Sequence, residues 1–109
     1  MFNLLFYDVM KVNVHAVNFN VDKKLVNFIE ERVSKLEKFY DKVVASDAFL
    51  KVENTSEKEN KIVELKINVP GDEFVVKKVS KSFEEATDLA TESLERLLLK
   101  RKEKVRAQG

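Results

Sequence analysis

Ile62-Val63-Glu64-Leu65-Lys66-Ile67-Asn68-Val69-Pro70-Gly71-Asp72 alternates apolar and polar side chains up to a turn. Val63, Leu65, Ile67 and Val69 fall on one face, and Glu64, Lys66 and Asn68 on the other. A two-residue period of this kind marks a strand with one face in a core and one in water. Pro70-Gly71-Asp72 reads as a tight turn. Glu73 to Val79 is therefore expected to run back beside it as a further strand. The inward face of that strand stays open, because Phe74 and Val76 compete with Val75 and Val79.

Upstream, the polar run Asn54 to Asn60 reads as a hairpin loop. It is preceded by a strand over Val43 to Glu53 with Ser46, Ala48, Leu50 and Val52 in one register. Before that, Asp22 is placed to cap a helix. In that helix Leu25, Ile29, Val33, Leu36 and Tyr40 form one apolar stripe flanked by Val26, Phe28 and Phe39, ending near Asp41. Lys11 to Val17 alternates again as a first strand. Downstream, Ser82-Phe83-Glu84-Glu85 is a capping box, opening a helix with a stripe of Phe83, Ala86, Ala90, Leu94, Leu97 and Leu98.

The expected class is α+β, in the order β-α-β-β-β-α. Adjacent first and second strands would be parallel, through a right-handed crossover. With one apolar stripe each, both helices should pack on one face of a four-stranded mixed sheet. The other face, with Asn13, His15, Lys51, Glu53, Glu64 and Lys66, is polar enough to meet water. This arrangement resembles a double-stranded-RNA-binding domain.

At 109 residues the chain has the size of one domain, able to bury roughly 65% of its unfolded surface. Domain 10–109 is preceded by an extension, residues 1–9, too short to span a membrane and without a cationic leader or small-residue cleavage site. An added edge strand, a flexible tag and a start codon upstream of Met10 are the alternatives. Regular patterning begins right after Met10, which favours the last. The absence of cysteine excludes disulfides and thiolate metal sites and fits a reducing compartment.

Catalytic signals are scarce. The single histidine, His15, falls on the polar strand face, and no glycine-rich phosphate loop occurs. Glu84, Glu85, Asp88, Glu92 and Glu95 lack a partner ligand set and read as a solvated face. No catalytic residue, metal, cofactor, small-molecule substrate or membrane partner is expected.

Charge is where the chain is distinctive. The net charge of +1 conceals a last helix with five acids and no base over Phe83 to Glu95. Arg96, Lys100, Arg101, Lys102, Lys104 and Arg106 then follow, against the lone acid Glu103. Acids early and bases late complement a helix dipole; a cationic helix end also attracts a phosphate backbone. Arg101 falls in the middle of the apolar stripe, so core contact is expected to fade near Leu98. If helical to Arg106, the segment is about 36 Å long, and its basic end should project beyond the sheet. Arg32, Lys35 and Lys38 form a second, diluted patch on the first helix. Lys77, Lys78 and Lys81 lie beside the fourth strand.

In sequence the chain resembles the short form of the ribosome hibernation promoting factor family, also called the ribosome-associated inhibitor or sigma-54 modulation protein family. Met10-Lys11-Val12-Asn13-Val14, Lys35-Leu36-Glu37-Lys38-Phe39-Tyr40-Asp41, Ala86-Thr87-Asp88 and Arg96-Leu97-Leu98-Leu99-Lys100-Arg101-Lys102-Glu103-Lys104 carry the likeness, in family order. The resemblance implies a cytoplasmic protein that binds the small ribosomal subunit between head and body. There it contacts ribosomal RNA where messenger and transfer RNA would sit, and holds ribosomes idle in stationary phase or starvation. Positions matching the family's basic ones are Arg32, Lys35, Arg96, Lys100, Arg101, Lys102 and Lys104; Lys38, Lys77, Lys78 and Arg106 extend the set. A Gly-x-Asp-(Met/Leu)-Tyr turn common in the family is replaced by Ser80-Lys81-Ser82-Phe83-Glu84. Long-form relatives add a dimerisation domain, so pairing of ribosomes stays open. The competing readings are a double-stranded-RNA-binding module, disfavoured by the acidic start of the last helix, and a protein-interaction scaffold using that helix.

Overall fold

The alternating stretch at 62–69 forms an inner strand of the sheet. In chain order the elements are β1 (Val12–Ala16), α1 (Lys23–Phe39), β2 (Ala45–Val52), β3 (Lys61–Val69), β4 (Asp72–Ser80) and α2 (Phe83–Gln108). The computed structural model describes residues 12–108, with side chains over 12–104. The N-terminal extension, Met10 and the Arg106 side chain lie outside what is described. Strand order is β1-β2-β3-β4, with β1 and β2 parallel and the other two pairs antiparallel. The α+β order expected from the sequence is the order observed.

Register settles which way β4 faces. Phe74, Val76 and Lys78 pair with Ile67, Leu65 and Val63. These β3 partners are fully buried, and paired residues share a face. Phe74 and Val76 therefore pack on the core. Val75 and Val79 stay on the open side, 48% and 39% exposed. The same logic carries Lys78 to the helix-covered face, while Lys77 stays on the open one. Between β3 and β4, Gly71 at φ +79 follows Pro70, a conformation that favours glycine.

Both helices cover one face, with Ile29, Val33 and Leu36 from α1 and Ala86, Ala90, Leu94 and Leu98 from α2 buried against Ala48, Leu50, Val63, Leu65 and Ile67. Thr87 is buried beside the α2 stripe. Asp22 Oδ1 accepts the Leu25 N–H at 2.8 Å, and Ser82 Oγ accepts the Glu85 N–H at 3.1 Å. These side chains satisfy amides that a helix N-terminus leaves without partners. α1 stops at Phe39, with Tyr40 as C-cap donating to Leu36 O, close to the expected end near Asp41. The loop ring of Phe19 stacks on Phe83 at the start of α2, centroids 5.3 Å apart.

The uncovered face keeps most of its expected polarity. His15 Nε2 lies 3.1 Å from Asp47 Oδ1, its ring stacked on Phe49. Lys66 pairs with Glu73 at 3.2 Å. None of the helices, as far as described, is long and apolar enough to cross a membrane.

Leu94 is fully buried where α2 crosses the sheet, whereas Leu99 is 42% exposed. Leu94→Ala should lower unfolding free energy by about 2–5 kcal/mol, through lost burial and a residual cavity. Leu99→Ala should change it by less than about 1 kcal/mol. Denaturant titration of the two variants checks the pair.

Candidate nucleic-acid interface

α2 remains helical through Gln108. Its 26 residues correspond to about 39 Å at 1.5 Å per residue. Along its second half Lys100, Lys102 and Lys104 are exposed. Among the described residues none of them joins an ion pair. Arg96 is also exposed, and its Nη2 donates to Ser93 Oγ at 3.2 Å, which orients the guanidinium without cancelling its charge.

Arg101 behaves differently from its neighbours. Its Nε donates to Tyr40 Oη at 3.3 Å, Nη1 to Asp72 Oδ2 at 3.0 Å and Nη2 to the Pro70 carbonyl at 2.7 Å. One side chain thereby joins the last turns of α2, the end of α1 and the β3–β4 turn. Apolar core contact fades after Leu98 as expected, with Leu99 42% exposed, but Arg101 carries polar contact with the body almost another turn further. A residue three beyond Leu98 and seven beyond Leu94 keeps the orientation of the stripe. The planar, multi-donor guanidinium suits such a junction, where three acceptors lie in different directions.

The cations of α1 are held in a different setting. The Arg32 guanidinium lies 4.6 Å from the Phe28 ring centroid. Its Nε is 3.6 Å from Asp88 Oδ1, buried and without a hydrogen-bond partner among the described residues. At that distance the contact with Asp88 is Coulombic and not a hydrogen bond. Arg32 and Lys35 line a groove between the helices together with Asp88, Thr91, Glu92 and Glu95. Here the acids of α2 meet the bases of α1, so the groove carries both signs. Lys38 is exposed in the last turn of α1, where a cation complements the helix dipole.

On the other flank of α2, a groove of about 340 Å³ is lined by Val75, Val76, Lys78, Ser93, Arg96, Leu97 and Lys100. It gathers three of the sequence-predicted cations, Lys78, Arg96 and Lys100, with no carboxylate in the lining. Lys77 points to the opposite face of β4, opposite Glu64 in register. Among the described residues no three or more His, Cys, Asp or Glu side chains are placed so that they could hold a metal ion.

A family model described as "Sigma 54 modulation protein / S30EA ribosomal protein" matches residues 12–106. The chain belongs to this family. Among S30EA-family relatives, the "Ribosome hibernation promoting factor" of Azotobacter vinelandii is 30% identical over 95 residues, spanning 87% of this chain and 85% of that protein. The protein of the same name from Pseudomonas putida is also 30% identical over 95 residues, covering 87% and 89% of the two chains. The "Ribosome hibernation promotion factor" of Bacillus subtilis is 29% identical over 98 residues, which make up 88% of this chain and 50% of that one. In three dimensions the S30EA-family fold is shared with a ribosomal subunit interface protein from Coxiella burnetii (TM-score 0.73, 19% identity, 84% and 96% coverage). It is shared too with the N-terminal domain of Thermus thermophilus Protein Y (TM-score 0.68, 16% identity, 83% and 94% coverage).

Tyr40, Pro70, Asp72 and Ser93 take part in this surface by positioning its arginines, and the motif reading of the S30EA-family cations passed over them. Arg101's place on the apolar stripe was the available signal, because a charged residue at a core-facing position needs partners. Arg101→Met should cost about 1–3 kcal/mol of stability, as expected for hydrogen bonds made by a charged donor. It should also speed amide exchange in the turns after Leu98. Lys102→Met should leave both within about 0.5 kcal/mol of the parent. Equal exchange rates in the two variants would show that the junction does not hold the helix end.

Proposed function

We propose that this chain is a ribosome hibernation factor that binds the small ribosomal subunit in the mRNA/tRNA channel and blocks translation sterically in stationary phase or stress. The observation that carries this reading is family membership over residues 12–106, among relatives that bear hibernation names along most of their own length. The physical features agree with it. A rigid two-layer body occupies space, and an anchored helix presents Lys100, Lys102 and Lys104 to solvent. Exposed flexible ammonium groups suit sequence-independent contact with RNA phosphates. In this reading the protein acts in the cytoplasm and performs no reaction. Its partner is ribosomal RNA with the neighbouring ribosomal proteins.

Arg32, Lys35, Lys38, Lys77, Lys78, Arg96 and Arg106 complete the proposed contact set, but the roles within it differ. Arg101 acts by holding the helix end in place, and Arg32 and Lys35 act from a groove they share with acids. The free ammonium groups past Leu98 should therefore dominate binding.

Lys100→Glu, Lys102→Glu and Lys104→Glu combined should abolish co-sedimentation with ribosomes in sucrose gradients while leaving the circular dichroism spectrum unchanged, because Arg101 is untouched. Parent binding should fall steeply with salt, because added salt reduces the gain from releasing counterions. Co-sedimentation of the triple variant at parental levels would overturn the reading. A complex that survives ribonuclease would point instead to a protein scaffold.

A further inference from the structure

We infer that the groove between β4 and α2 is a track for a single RNA strand, with one phosphate seated among Lys78, Arg96 and Lys100. The inference takes its polyanion from the ribosome-binding reading above and adds the strand's location, orientation and chemical form.

The first observation is the position of Lys78. It occupies the helix-covered face of β4, in register with the buried Val63, where an apolar residue would ordinarily fill the layer. It is half-buried and forms no ion pair among the described residues. A lysine so placed lays its methylenes along apolar surface and brings its ammonium to the opening. An inward-pointing charge also protects an edge strand; what sets Lys78 apart is that it shares its groove with Arg96 and Lys100.

The second observation is the contrast between the flanks of α2. Toward α1, Arg32 and Lys35 share their groove with Asp88, Glu92 and Glu95, which supply the counter-charge internally. Toward β4, Lys78, Arg96 and Lys100 converge with no acid in the lining. Converging like charges repel when nothing sits between them. An anion supplied from outside relieves that repulsion, and among the described residues no acid lines this flank.

Helix geometry gives the direction. Arg96, Lys100 and Lys104 recur every fourth residue, so successive cations rise by about 6 Å along α2 and rotate by only about 40°. They form a slanted row leading out of the groove past the end of the sheet. That rise is comparable to the separation of neighbouring phosphates along one strand. The rest of the lining includes Val75, Val76 and Leu97, with Val75 half exposed at 48%. An amphiphilic ligand fits this mixture, with phosphates on the cationic row and the apolar parts of ribose against the aliphatic rim. A bare inorganic anion would leave the rim unused.

The test is an NMR titration of the full chain with oligouridylate, with inorganic phosphate and an RNA duplex as parallel probes. Oligouridylate should move amides in β4 around 74–78 and in α2 around 93–104, more strongly than phosphate at equal concentration or the duplex. Lys78→Gln should weaken that binding about tenfold and make the log–log salt dependence shallower by about 0.7. Lys51→Gln, on the open sheet face, should match the parent. Lys100→Gln, at an exposed site, repeats the measurement should Lys78→Gln lose the parental amide dispersion. The inference is overturned by shifts centred on the Arg32–Lys35 groove or the open face, by inorganic phosphate or duplex doing as well as the oligonucleotide, or by groove variants indistinguishable from Lys51→Gln. Ribosome co-sedimentation of the parent chain separates the two ideas. If it persists with no groove response, the track alone fails; if it is absent while the groove still takes oligouridylate, the ribosome reading alone fails.

Discussion

Three hydrogen bonds from the guanidinium of Arg101, to Tyr40, Asp72 and Pro70, determine where the basic half of α2 points. Without them, the last fully buried apolar contact of that helix among the described residues is Leu98, and the turns beyond would be free to fray. With them, the helix end is tied to a turn and a helix cap that the sheet itself holds in place. The Asp72 arm is half exposed and so contributes modestly as an ion pair. The junction's strength lies in joining three separate segments through one planar group. Every cation beyond it inherits a defined direction.

That fixed direction gives meaning to the charge on α2. The acids of its first turns do more than complement a helix dipole, because Asp88, Glu92 and Glu95 face Arg32 and Lys35 across the interhelical groove. They neutralise one flank and leave the other cationic. A net charge of +1 thus coexists with a basic strip along one flank of a single helix. A polyanion approaching the helical layer therefore meets a charge gradient across a single helix.

Most of the fold was legible in the sequence because the governing patterns are local. The two-residue period at 62–69, the caps at Asp22 and Ser82 and the apolar stripes of both helices each depend on neighbours in the chain. The face of β4 was not legible, since its valines and Phe74 occupy both sides. Only pairing with β3 shows that Phe74, Val76 and Lys78 turn inward. The same ambiguity led the sequence reading to group Lys77 with Lys78, although they serve opposite faces. At the site, Arg101 was grouped by its charge when its position on the stripe was the better guide. The partners of Arg32 and Arg101 come from distant segments, which no local pattern reveals.

Because both helices lie on one side of the sheet, the molecule has a front and a back. His15, Asp47, Phe49, Lys66 and Glu73 make up much of the back, tied together by their own stacking and pairing. On that β-surface Lys77 lies opposite Glu64 in register, so its charge is set against an acid of the neighbouring strand, unlike the acid-free groove beside α2.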